Sequence, residues 1–164
     1  MALRDEILSA NDAYANDFRL AGYSSRPARQ FAVVTCMDCR LDPVAFLGLA
    51  PGDAHVMRNA GGVVSDDVLR SLAVSHGVLG AHEALVIGHT GCGMQQASDD
   101  VVRAVLADSA GIDATGVDLL TFPDVVEAVK ASIRRIRESP LLPDSYGASG
   151  FVYDTETGRL SQVA

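Results

Sequence analysis

Two cysteines, an aspartate and an arginine fall within the hexapeptide TCMDCR, residues 35–40, and GHTGCGM, further along, adds His89 and Cys92. The chain has three cysteines in all. Three chemistries begin this way. As a redox pair, Cys36-x-x-Cys39 would need a helix N-terminus to lower the first thiol's pKa. The helix signals come later, at Asp42-Pro43, and that reading leaves His89 and Cys92 idle. As a closed zinc knuckle, Cys36, Cys39, His89 and Cys92 have legitimate spacing. That reading has no use for Asp38 and Arg40, and a buried Asp beside two thiolates is costly unless paired. As an open zinc site, Cys36, His89 and Cys92 bind the metal, a water takes the fourth position, and Asp38 and Arg40 flank it. Extended spacing then puts residues 36, 38 and 40 on one side and Cys39 on the other, where it is a small buried residue. This last reading uses every polar group.

Such residues must be carried to one place by the fold. FAVVTC (31–36) is a short continuous apolar run rich in β-branched residues, which reads as a buried parallel strand. AHVM (54–57) and ALVIGH (84–89) are further strands, and GFVYDTETGRLSQV (150–163) gives a fourth, a turn and a possible short edge strand. Asp42-Pro43 reads as an N-cap followed by Pro at the first helical position. Helical spacing runs through 65–80, closing on Gly80, then from about Met94 to Asp108 and from about Pro123 to Glu138. Strands alternating with helices predict an α/β fold with a parallel sheet, whose ligands gather beyond the strands' carboxyl ends where strand order reverses. Cys36 ends the first strand and His89 the third, so the candidate ligands converge if those strands are neighbours.

Leu3, Ile7, Ala10, Tyr14 and Phe18 form one apolar helical face that ends near Gly22. The default reading is a helix packed on its own chain's core; the other is an arm laid over a partner subunit. The 164 residues suggest one domain, 1–164, and 48% hydrophobic residues suffice for a core. A formal net charge of −8 argues against nucleic acid and anionic membrane as partners, since both need clustered Lys and Arg. No apolar run reaches membrane-spanning length, and MALRDEILSAND carries acids where a signal peptide needs an apolar stretch. The odd cysteine count fits no secreted disulfide framework, and the expected location is the cytoplasm.

CMDCR and GHTGC together resemble the Cys-x-Asp-x-Arg and His-x-x-Cys motifs of the beta-class carbonic anhydrases. PGDAHVMRNAGG resembles that family's connecting segment, and SPLLPDSYGASGFVYDTETGRL the ending of its small prokaryotic members. The resemblance covers nearly the whole chain. It implies a four-stranded parallel sheet of order 2-1-3-4 flanked by helices, one Zn²⁺ per chain, and a homodimer or larger homo-oligomer embraced by a helical arm (1–22). The activity it implies is reversible hydration of carbon dioxide to bicarbonate and a proton by a zinc-bound hydroxide. It carries Cys36, His89 and Cys92 over as zinc ligands, Asp38 and Arg40 as the catalytic dyad, and Gly93 as a backbone donor to the bound anion. It also allows a resting form in which Asp38 leaves Arg40 and takes the open zinc position.

Two positions depart from the pattern. Plant-type members place a glutamine where this chain has Pro27, and Cys39 replaces the usual small residue between Asp and Arg. Two rival functions stand beside the main one: hydrolysis of carbonyl sulfide or carbon disulfide at the same zinc, and a non-catalytic zinc-stapled domain. His55, His76 and His82 are proton-shuttle candidates by chemistry alone, with structural histidines favoured. Arg58 is read either as a bicarbonate contact or as one half of an ion pair.

Overall fold

The computed structural model describes residues 2–164; Met1, first residue of the expected arm, lies outside them. Strand β1 (Phe31–Cys36) lies between β2 (Ala54–Asn59) and β3 (Glu83–His89) and runs parallel to both. Beyond β3, β4 (Gly147–Tyr153) continues the parallel sheet, and β5 (Leu160–Gln162) pairs antiparallel with β4 at the edge. The order is β2-β1-β3-β4-β5, the expected 2-1-3-4 sheet with its short C-terminal edge strand. The chain leaves β1 to one side for β2 and then crosses to the other side for β3. The switch point therefore falls between β1 and β3, whose last residues are Cys36 and His89. All of β1 except Phe31 is buried, because both faces are covered; this is why the run shows no alternation.

The connections follow their caps. Asp42 accepts from the backbone N–H of Ala45 at 3.1 Å and starts the single-turn helix α2 (Pro43–Phe46). Ser65 caps α3 (Asp66–Gly77), which ends before the expected Gly80. Gly80, at φ +80°, instead serves the turn out of the helix, with its N–H on the His76 carbonyl. The helix expected from about Met94 to Asp108 divides in two. A 3₁₀ turn spans Gly93–Gln95, and α4 (Asp99–Ala110) starts anew because Ser98 offers its hydroxyl to the N–H of Val101. Helix α5 (Val125–Arg137) follows its Asp124 cap and buries Val125, Val129, Ile133 and Ile136 along one face.

That face lies very close to the sheet. A Cβ on Gly88 would come within 2.6 Å of the Val125 side chain, and one on Gly150 within 2.6 Å of Val129. Glycine at these strand positions lets α5 press onto β3 and β4 immediately beside His89. The larger apolar cluster, from Ala32 and Val34 through Leu72 and Val86 to Ile136, holds the sheet between its helices. Helix α1 (Leu3–Asn16) adds nothing to it: none of its residues is buried, and Leu3, Ile7, Ala10 and Tyr14, with Phe18 just beyond the helix, are exposed. A helix packed on its own chain's core is therefore ruled out. The amphipathic face exists, but nothing in this chain covers it.

Candidate metal centre

Cys36, His89 and Cys92 meet at the carboxyl ends of β1 and β3. One donor atom from each lies within 4.8 Å of the other two, and all three residues are buried. Their position is enforced by close backbone packing. Gly62, at φ +65°, sits so near β1 that a Cβ would lie 2.7 Å from the Cys36 nitrogen and 2.8 Å from the Thr35 carbonyl carbon. Only glycine satisfies both the left-handed backbone and that approach. Leu41, Phe122 and Val125 pack around the two cysteines as an apolar wall.

His89 is fully buried, and its Nδ1 donates to the Thr90 carbonyl at 2.9 Å. The neutral ring then presents a bare Nε2 lone pair, and that atom has no hydrogen-bond partner. A buried acceptor without a partner costs free energy unless something fills the space before it. Beside it, burial pushes the Cys92 thiol above its ordinary value, and the neighbouring Cys36 adds to the shift. Two thiols crowded against a naked imidazole nitrogen are a poor protein core and a good donor set for a dication, which would deprotonate the thiols. Two sulfurs and one nitrogen suit zinc, and three protein donors leave one tetrahedral position open. The residues fit the metal.

Asp38 borders this space, with Oδ2 3.8 Å from His89 Nε2. Arg40 grips it as a fork, Nε to Oδ1 at 2.9 Å and Nη2 to Oδ2 at 2.6 Å, and the Arg40 backbone N–H adds a third bond to Oδ1. The side-chain fork, then the backbone bond, hold the Asp38 carboxyl well below the usual carboxylate range. The same pairing pushes the Arg40 guanidinium up. Arg40 Nη2 also donates to the Gly91 carbonyl at 3.1 Å, tying the loop after β1 to the loop after β3. Asp38 is thus directed to Arg40, the arrangement that leaves the fourth metal position free.

Several expectations need correction. The chain does not stay extended past Cys36; it turns, with the Leu41 N–H on the Asp38 carbonyl at 3.0 Å. Cys39 sits on the outside of that turn and is exposed, not buried. It lies outside the three-residue cluster. We therefore expect Cys39→Ser to retain zinc as fully as the wild type, checked by metal analysis; zinc loss matching that of Cys36→Ser would restore the closed knuckle. Among the described residues Arg58 is held by backbone carbonyls and not by an acidic side chain. It donates from Nε to the Cys36 carbonyl at 2.9 Å and from Nη2 to the Asp38 carbonyl at 2.7 Å, holding the turn from β2. Gly93 opens only a 3₁₀ turn, not a longer helix, and a Cβ there would meet nothing within 4 Å.

The other histidines are remote. His55 is held by Ser75 and the Ser25 carbonyl, and His76 by the Ala81 carbonyl. His82 precedes β3, a full strand from His89, or about 23 Å at roughly 3.3 Å per residue. Sequence reasoning passed over Gly62 beside Cys36, Thr90 beside His89, and Thr155, which bonds to Thr90. Gly62 alone left a signal, the glycine pair in RNAGG.

A mostly parallel sheet carrying a two-thiol, one-imidazole centre at its switch point defines a zinc-enzyme architecture. The profile of the carbonic anhydrase family matches residues 31–114. Beta-carbonic anhydrase 1 of Mycobacterium tuberculosis is 42% identical over 163 residues, covering 99% of each chain. The crystal structure of carbonic anhydrase from Streptococcus mutans superposes with a TM-score of 0.95 at 41% identity, covering 100% of this chain and 99% of that one. A carbon disulfide hydrolase of Acidithiobacillus thiooxidans is 36% identical over 152 residues, covering 80% of this chain and 76% of its own. The chain belongs to the beta-class carbonic anhydrase family.

Proposed function

We propose that this protein is a zinc-dependent carbonate dehydratase, converting carbon dioxide and water reversibly to bicarbonate and a proton. The observation that carries the reading is the buried, unpartnered His89 Nε2 facing two thiols, with an ionised Asp38 beside them. Zinc held by Cys36, His89 and Cys92 supplies the Lewis acidity that makes a water nucleophilic; two thiolates cancel its charge, so activation needs a higher pH than at a three-histidine site. Asp38, kept anionic by Arg40, accepts a hydrogen bond from the attacking water and so aims an oxygen lone pair at the substrate carbon. Arg40 fixes that carboxylate in orientation and charge, because its forked guanidinium engages both oxygens. Gly93 leaves open space after Cys92, where its backbone N–H serves the product anion. The released proton passes to buffer, since no other histidine adjoins the centre.

Stopped-flow hydration across pH tests the reading: the rate is expected to climb between about pH 7 and 9. A second reading has specific support in the similarity to carbon disulfide hydrolases. Carbon disulfide and carbonyl sulfide present the same linear, electrophilic carbon to the same residues. Sulfide release from both is measured alongside; fast release with negligible carbon dioxide hydration would reverse the order of the two readings.

A homo-oligomer, with the dimer as its smallest unit, is proposed on helix α1. A helix of 14 residues that buries nothing is marginal in water on its own. Its exposed apolar face therefore calls for a second copy, and residues 1–22 act as an arm on the single domain. Sedimentation should show a dimer or larger for the full chain and dissociation after removal of residues 2–20; a folded, active full-length monomer would end the idea. Among the described residues no helix is long and apolar enough to cross a membrane. No cysteine is in a disulfide, and Cys39, exposed and outside the ligand set, suits the proposed reducing cytoplasmic location.

A further inference from the structure

His89 can serve the centre only while Nδ1 keeps its proton and Nε2 stays bare, and that choice depends on the Thr90 carbonyl. The carbonyl belongs to the Thr90–Gly91 peptide, and Gly91 is at φ +63°, where glycine offers little resistance to rotation of that peptide. The carbonyl is nonetheless held. It accepts from the Thr155 hydroxyl at 3.3 Å as well as from His89 Nδ1 at 2.9 Å. Thr90 Oγ1 accepts the Thr155 backbone N–H at 3.0 Å and lies 3.1 Å from Thr155 Oγ1. The Thr90 N–H donates to the Tyr153 carbonyl at 2.9 Å. Thr90 is therefore strapped along its length to the first residues after β4. Thr155 is presented by a turn that Asp154 closes, accepting the N–H groups of Glu156 and Thr157 at 2.8 and 3.0 Å.

We infer that Thr155 is a positioning residue for the metal centre: its hydroxyl pins the Thr90 carbonyl that sets the His89 tautomer and ring orientation. The inference rests on the ligand assignment made above for Cys36, His89 and Cys92. Because His89 is fully buried, no water can replace a lost acceptor at Nδ1. Without the pin, the ring gains an alternative in which it turns or moves its proton to Nε2, and the metal competes with that state. Groups that orient a ligating histidine in this way change metal affinity by about 10- to 100-fold when removed.

The test uses full-length protein with Thr155→Val, which keeps the branched shape and removes the hydroxyl, and Thr155→Ser, which keeps the hydroxyl. Zinc affinity is measured by chelator competition, and the His89 tautomer by long-range ¹H–¹⁵N correlation in zinc-free and zinc-loaded protein. The expected result is zinc binding weaker by about 10-fold in Thr155→Val, mixed tautomers at His89 in its zinc-free form, and recovery of both in Thr155→Ser. If Thr155→Val does not fold, Thr155→Ala against Thr155→Ser carries the comparison. A role in folding alone would lower thermal stability while leaving zinc affinity and tautomer unchanged, and that result overturns the inference. Failure of the ligand assignment is separately visible: wild-type protein would bind no zinc, or Cys36→Ser would bind it as well as wild type.

Discussion

Replacing Cys36 with serine should abolish zinc binding and carbon dioxide hydration together, leaving a folded protein. A serine hydroxyl does not ionise near neutral pH, so the donor set falls to one thiolate and one imidazole. Without the metal nothing lowers the pKa of water, which removes the nucleophile at working pH. Activity should fall to the uncatalysed background. The fold should survive because the larger apolar cluster, through Leu72, Val86 and Ile133, does not include the cysteines. Metal content by mass spectrometry, circular dichroism and stopped-flow hydration on the same preparation check the three parts. Stripping zinc from wild type with a chelator should reproduce the variant's behaviour, with activity restored on adding zinc back. Full zinc occupancy in Cys36→Ser would sink the ligand assignment.

The sheet was legible because its central strands are buried on both faces. FAVVTC and ALVIGH therefore read as continuous apolar runs, and β1 matches to the residue. Helix α4 was misread because one apolar period was carried through Ser98-Asp99, a polar pair that in fact starts a new helix. Helix α1 shows the limit of periodicity: spacing says that a face is to be covered, not by which chain. The three candidate ligands were legible as a group from motif spacing and strand ends. Cys39 was set apart from them for the wrong reason, since strand alternation was extended beyond Cys36, where β1 stops and a turn begins. Thr90 and Thr155 were invisible, being ordinary residues 65 positions apart that become partners only once β3 and β4 align.

Asp38→Asn is expected to keep zinc and fold and to lose activity on the order of 10²-fold, the upper range for a group acting beside the ligands. Asparagine has the same shape but only one acceptor oxygen. If that oxygen takes the place of Oδ1, the amide N–H₂ stands where Oδ2 was, facing both Arg40 Nη2 and the attacking water, and donor meets donor. If the amide is reversed, its N–H₂ faces Arg40 Nε and the Arg40 backbone N–H, and the two bonds now made at 2.9 Å become repulsions that unseat the side chain. Either way the lone pair of the attacking oxygen loses its direction. The loss should fall on turnover, with zinc content unchanged, and should not be recovered by raising the pH. Asp38 itself does not set the pH dependence. Its carboxyl is held well below the ordinary value by Arg40, so the pair contributes stability above the unfolded carboxylate pKa of about 4. That contribution is lost only as pH falls through the lowered folded value. Between pH 7 and 9 Asp38 is ionised throughout, and a climbing rate there reports the water and not the carboxylate. Near wild-type turnover in Asp38→Asn would remove Asp38 from the chemistry and reduce its bond with Arg40 to a brace for the loop.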